Sequence, residues 1–381
     1  LSFSQEKVTQ DGATLQGGRR LTLGTDPEFF ILDPNGKPVP AWRFYPPKQE
    51  KKYYKHRWEY AGQGSYFRDG YALEINTRPE VCRALLSNDL RAGLLGAVGD
   101  LPEGFTLTTT PAIKIEKEDL LGAPMDCTVF GCDPALNAYT GEMTTPNIDP
   151  HSHLWRYAGG HMHFGGNVEE FPWLANEQQK MFFIKLCDLF IGLPLAYLFD
   201  DDANRQRRKY YGRAGECRMQ EYPENEDGQP EGGVEYRVPS PQLWNDYPLA
   251  QMFFGVMRTI ARHVVEFEST WRSSWETAIQ EQINNCDVSI SWLQEVADHY
   301  TPHLLADLKQ LKKFADFRLL DQASIGNDTH SGMVEWVESR YKTQSEYNKV
   351  MGIYAHRQHD LWTDWRPYPL TMRQGWKQAR G

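Results

Sequence analysis

The sequence predicts an α+β protein, a sheet-based body with a helical C-terminal third. Three observations predict it. Strand-like runs broken by turn residues dominate roughly the first 170 positions; helical periodicity appears at 176–199 and prevails from about 249. In addition, four strand-like segments carry carboxylates, imidazoles or a guanidinium where a solvent-facing strand usually carries Lys, Thr, Ser or Gln.

Taken in order, residues 1–20 read as a polar tail without the apolar core of a signal peptide. A sheet-based catalytic region is expected over 21–250. It opens with LTLGTDPEFFILDPNGKPVPAW, in which DPNG has the composition of a hairpin turn. The aromatic and basic stretch at 42–68 is too polar for core and too aromatic for a plain linker, so it is expected to be an ordered arm beside a site and a candidate lid. The runs DGYALEINTRP, FTLTTTPAIKI and GGHMHFGG supply further strands. Residues 181–199 have the length of a membrane span but contain Lys185, Asp188 and Pro194, which argues for a buried helix and no membrane. A basic segment, an acidic loop at 221–233 (another candidate lid) and the strand VEYRVPS follow. Residues 251–381 form the helical region expected to pack on the sheet.

Composition narrows the function. The 381 residues carry 41 Lys+Arg against 51 Asp+Glu, a formal charge of −10, which is the wrong sign for a protein that coats nucleic acid. Cys82, Cys127, Cys132, Cys187, Cys217 and Cys286 show no CxxC spacing, so neither a zinc knuckle nor a disulfide framework is indicated, and a reducing cytoplasm is expected. His356 and His359 lie at helical spacing without a third ligand. Trp271, Trp275, Trp292, Trp336, Trp362 and Trp365 read as helix-packing residues.

A period of two places side chains i and i+2 on one face of a strand, roughly 7 Å apart. The pairs are Asp26 and Glu28, Glu74 and Asn76, His161 and His163, and Glu235 and Arg237. In the last three segments the alternating neighbours are apolar or aromatic: Leu73 and Ile75, Met162 and Phe164, and Val234, Tyr236 and Val238. If the strands pair in one sheet, the carboxylates crowd and repel unless cations lie between them. Carboxylate oxygens with an occasional imidazole suit Mg2+ or Mn2+. The histidine pair alone fits a structural role as readily as a ligand role, and Gly159, Gly160, Gly165 and Gly166 favour close approach of another group.

The segment NRQRRKYYGRAGECR holds Arg205, Arg207, Arg208, Lys209, Arg213 and Arg218, interrupted by Tyr210, Tyr211, Gly212, Ala214 and Gly215. A shaped loop with several arginines suits polyphosphate, because planar guanidinium groups grip phosphate oxygens in pairs. No GxxxxGK[ST] loop is present, so phosphoryl transfer would need a different fold.

The pieces LGTDPEFF, DGYALEIN, GCDP, AGGHMHFGG, RRKYYGRAGECR and GVEYRVPS, in that order over residues 23–240, resemble the glutamine synthetase and glutamate-cysteine ligase superfamily, and more closely its phage-type COOH-NH2 ligase type 2 branch. The resemblance implies a half-barrel sheet carrying ATP and two or three Mg2+ or Mn2+ ions. It implies transfer of the γ-phosphate to a carboxylate and attack by an amine on the acyl phosphate, with small-molecule or peptide substrates. Asp26, Glu28, Glu74, His161 and Glu235 take the metal-ligand positions, with Asp69 a weaker addition. His163 faces nucleotide or substrate, Arg237 accompanies the last metal acid, and Arg208, Arg213 and Arg218 meet phosphates or the acyl phosphate. Cys132 of GCDP is structural or lines the substrate site. If the chain is phage-encoded, the compartment is the host cytoplasm. Two other functions remain open: a metal-dependent hydrolase using the same acids and histidines, and a non-catalytic nucleotide-binding or virion-associated protein of the same fold.

Overall fold

The computed structural model describes residues 22–299, apart from 55–63, 81–82, 128–133, 145–147, 150–151, 223–230, 246, 290, 293–294 and 297–298. The expected tail, the GCDP cysteine, the middle of the acidic loop, His356, His359 and most of the helical third lie outside the described residues.

Two antiparallel sheets share the molecule. The first is built from β1 (Thr22–Thr25), β9 (Ala135–Asn137), β10 (Met143–Thr144), β12 (Met162–Asn167), β13 (Glu216–Tyr222) and β14 (Glu231–Tyr236), in the order β1-β12-β14-β13-β9-β10. The second runs β3-β2-β6-β5-β4, from β2 (Glu28–Leu32), β3 (Pro38–Val39), β4 (Lys52–Tyr53), β5 (Ser65–Asp69) and β6 (Ala72–Asn76), with β7 (Thr106–Thr108) also on β2. A two-stranded piece pairs β8 (Ala112–Lys114) with β11 (Trp155–Tyr157).

The sheets meet at Asp26-Pro27, where the chain leaves β1 and enters β2. Proline has no N–H to leave unpaired, so a break in the ladder costs little there. Hydrogen bonds stitch the junction: Thr77 N donates to Thr25 O at 3.0 Å, Ile75 N to Pro27 O at 3.1 Å and Glu28 N to Gly159 O at 2.9 Å. The result is the curled half-barrel wall that the resemblance implies. The DPNG turn is a hairpin as read: Asp33 Oδ1 accepts from Asn35 N and Lys37 N, and Gly36 takes φ +80°.

The period of two sorts the sheet faces. Leu73, Ile75, Met162, Phe164, Val234 and Tyr236 are fully buried against helices, which turns their polar neighbours toward the concave side. Helix α1 (Arg83–Asp100) contributes Leu86, Leu90, Leu94 and Ala97, a stripe at helical spacing. The apolar segment after Asn176 forms α2 (Glu177–Cys187), a π-helical stretch at Asp188–Gly192, and α3 (Leu193–Leu198). Its 22 residues are long and apolar enough to cross a membrane, but 89% of the apolar window is buried inside this protein, as expected for a core helix. Helix α4 (Asp202–Arg208) leads toward β13, and α5 (Tyr247–Arg262), α6 (Val264–Glu268) and α7 (Glu276–Asn285) begin the helical third. Phe253, Val256, Met257 and Ile260 of α5 join the same core as β1, so the helices continue the sheet's core.

The described part of the 42–68 arm is a fixed wall. Tyr45 and Tyr54 are buried, the Tyr45 hydroxyl donates to Ala97 O at 2.9 Å, and Arg68 N donates to Pro46 O at 2.9 Å. Tyr45, Tyr54 and the Pro46 backbone are thus tied to the body, while 55–63 lie outside the described residues.

Candidate active site

Strand register builds the site in two rows. In the first sheet Gly24 pairs with His163, His163 with Glu235, and Glu235 with Arg218. In the second, Glu28 pairs with Glu74 and Glu74 with Phe67. Asp26, at the junction, links them. Its Oδ1 lies 2.8 Å from His163 Nε2 and 3.1 Å from His161 Nδ1, and His161 Nδ1 is 3.4 Å from Glu235 Oε1.

Among the described residues, two groups of side chains bring ligand atoms within 4.8 Å of one another: Asp26, His163 and Glu235, and Glu28, Asp69 and Glu74. The second is all oxygen and suits Mg2+ or Mn2+; the first adds one imidazole, which Mn2+ accepts well. Electrostatics agree with a missing counter-charge. Burial and the neighbouring Asp69 push the Glu28 carboxyl up to about 8. Burial, with Asp26, Asp69 and the Glu28 neighbour, holds Glu74 well above the usual carboxylate range. Asp69 is raised by burial too. Acids whose ionisation burial opposes are acids for which a bound cation would supply the compensation. Burial also opposes ionisation of Asp26, but His163 and His161 outweigh it and hold Asp26 well below its ordinary value. Burial lowers His161, whereas Asp26 and Glu235 overcome burial at His163 and raise it to about 9.

Tyr211 occupies the centre behind these rows. Its hydroxyl hydrogen-bonds His161 Nε2, lies 3.3 Å from Glu28 Oε1 and accepts from Arg237 at 3.2 Å. The guanidinium groups of Arg207 and Arg237 lie 4.7 and 5.4 Å from its ring centroid. Gly159 N donates to Glu28 Oε2 at 2.6 Å. Arg237 bonds Glu235, and Arg218 lies 3.7 Å from the other Glu235 oxygen. At the Gly24 end of the row the missing side chain leaves a cavity of about 160 Å³, bounded by Thr22, Thr25, Asp26, Asn76, Thr77 and His163 among others.

The structure thus gathers Asp26, Glu28, Glu74, His161, His163, Glu235, Arg237 and Arg218 in one place. Within the gathering it is the His163 ring that joins an acid group, while both nitrogens of His161 are engaged by Asp26, Glu235 and Tyr211. Arg208 requires correction. It ends α4, is 3% exposed and bonds Gly212 O, and it makes no contact with the acid groups. Helical spacing turns Asn204, Arg207 and Arg208 inward, so the basic run is partly internal. Arg213 is exposed in the turn after Gly212. Tyr211 and Arg207 were not singled out by sequence, since a YYG run carries no charge signal; helical phase after the Asp201 N-cap would have flagged Arg207 as internal.

Residues 151–320 match the family model described as Phage phiEco32-like COOH.NH2 ligase-type 2. Among solved structures, the chain resembles the ligase PafA in its complex with the prokaryotic ubiquitin-like protein Pup, at 10% identity, covering 87% of this chain and 72% of that one, with a TM-score of 0.46. It also resembles a bifunctional glutathione synthetase from Pasteurella multocida, at 12% identity, covering 92% of this chain and 53% of that one, with a TM-score of 0.39. No curated protein matches the chain.

Proposed function

We propose that the chain is an ATP-dependent ligase that joins a carboxylate to an amine through an acyl phosphate. One observation carries the reading: Asp26, His163 and Glu235 form one group of possible metal ligands and Glu28, Asp69 and Glu74 another, with Arg218 and Arg237 both paired to Glu235. A carboxylate resists attack by an amine until one oxygen leaves as phosphate, and phosphoryl transfer needs positive charge fixed in advance.

Glu28, Asp69 and Glu74 would hold one divalent ion, and Asp26, His163 and Glu235 a second. Such ions, when bound, supply charge compensation for the phosphates and the reacting carboxylate. The protein's own groups do the rest. Arg218 and Arg237 would present guanidinium groups to the transferred phosphate. Tyr211 holds His161, which holds Asp26. The Gly24 cavity gives a substrate group access to Asp26 and His163. The substrates are small-molecule or peptide carboxylates and amines.

ADP release measured with paired carboxylates and amines tests the reading. Release that depends on both supports ligation; turnover of an ester, amide or phosphate without nucleotide would replace it with hydrolysis. A folded protein that fails to bind Mg-ATP in calorimetry would point to a non-catalytic role.

A further inference from the structure

At the far end of the Glu28–Glu74–Phe67 row lies a cation that the functional reading has not used. Lys48 begins the short 3-10 turn Lys48–Glu50, is exposed, and places its Nζ 5.4 Å from the centroid of the Phe67 ring. Phe67 is the direct partner of Glu74, and Asp69 shares its strand face two residues on. The bond from Arg68 N to Pro46 O anchors the chain just before Lys48 to this strand. The ammonium therefore sits over Phe67, the register partner of Glu74, and its charge acts on both Asp69 and Glu74.

We propose that Lys48 binds the carboxylate substrate and so fixes which acid is presented for phosphorylation. The proposal rests on the ligase reading and adds the residue that grips its acyl partner. The argument is one of charge placement. Both reactants are anions, and the cavity needs separate positive contacts to keep them apart. Arg218 and Arg237 lie at the Glu235 end, on β13 and just after β14. Lys48 lies at the Glu74 end, on a different element. Its ammonium is a compact charge on a flexible stem that can reach a carboxylate oxygen, and a guanidinium in its place would keep that charge and could fork onto the same carboxylate. The alternative, that Lys48 only offsets Asp69 and Glu74, predicts no role once divalent ions occupy the acids.

The test uses the full chain with Mg2+ and a non-hydrolysable ATP analogue, and glutarate as the carboxylate probe. Saturation-transfer NMR measures glutarate binding to the wild type, Lys48→Met and Lys48→Arg. Methionine keeps an apolar stem over Phe67. The expected result is binding to the wild type, at least about tenfold weaker binding to Lys48→Met, and recovery in Lys48→Arg, the size expected for one charged hydrogen bond. Nucleotide affinity, read by calorimetry, stays equal in all three. Equal glutarate binding to Lys48→Met, or none to the wild type, overturns the proposal. Failure of the wild type to bind the nucleotide analogue overturns the ligase reading first and the proposal with it, and so is told apart from a failure confined to glutarate.

Discussion

His163 faces Glu235 directly across β12 and β14, and its Nε2 lies 2.8 Å from Asp26 on the other sheet's threshold. One imidazole thus contacts Asp26 and stands in register with Glu235, two acids far apart in sequence. The site depends on such cross-strand placement more than on any single strong contact.

Glu28→Gln and Glu235→Gln are expected to abolish nucleotide turnover while leaving the fold intact. Each keeps the side-chain shape and an amide oxygen; the Glu28 oxygen that accepts from Gly159 N can be retained. Each removes an anionic donor from one acid group. Electron paramagnetic resonance of added Mn2+ should show weaker binding in both. Normal turnover in both would remove the metal reading.

Arg218→Lys should cut turnover by roughly 10- to 100-fold with little change in melting temperature, because a lysine cannot reproduce a forked phosphate contact. Arg218 is 30% exposed at its side chain, so its loss leaves no large internal hole. Steady-state ADP release reads the effect. An unchanged rate would place the phosphate grip on another group.

Tyr211→Phe removes the hydroxyl shared by His161, Glu28 and Arg237. Unpaired buried polar groups cost about 1–3 kcal/mol, and that loss should appear in urea unfolding. Mn2+ affinity should fall too, since His161 loses the contact that holds it against Asp26. A variant as stable as the wild type with unaltered Mn2+ binding would make the hydroxyl dispensable.

Gly159→Ala should be severe although it adds one methyl group. The new Cβ would stand 2.2 Å from His161 Nε2 and 2.8 Å from the Tyr211 hydroxyl. Both must move, with an overpacking cost of about 1–3 kcal/mol. Gly99→Ala is the control, because a Cβ there meets nothing within 4 Å. Comparable thermal stability and turnover in the two variants would contradict the close packing.

Asp188 gives a pH signature away from the acid groups. It is fully buried at the π-helical stretch, accepts from the Tyr236 hydroxyl at 2.8 Å, and burial raises its carboxyl to about 7. The native state then holds a proton that the unfolded chain releases near pH 4, so this group's contribution is full below that point and is lost as pH rises to about 7. Asp188→Asn should flatten the difference in unfolding midpoint over that window and gain relative to wild type above it. Parallel pH profiles for the two proteins would refute the assignment.

The concave acids were legible because a period of two is a local rule: Glu74, His161, His163, Glu235 and Arg237 stand opposite apolar neighbours that must be buried. Their gathering was also foreseeable, since unlike strands with the same odd face make sense together. Arg208 misled because charge composition was read without helical phase, and α4 turns that guanidinium inward. Tyr211 was invisible for the opposite reason: its importance lies in contacts to His161, Glu28 and Arg237, which are 50, 183 and 26 residues away. Lys48 sat within a stretch notable for aromatic and basic content, and only the anchoring of Pro46 to β5 shows where its charge is delivered.

The Asp26-Pro27 junction has a consequence for how this chain can vary. Asp26 and Glu28, one on either side of Pro27, serve one acid group each, so the spacing between the two candidate ion positions is written into the covalent backbone. Inserting or deleting one residue there would turn Glu28 to the helix-packed side while leaving Asp26 behind, and would disable the group of Glu28, Asp69 and Glu74. Loops elsewhere can lengthen; this two-residue link has no such latitude.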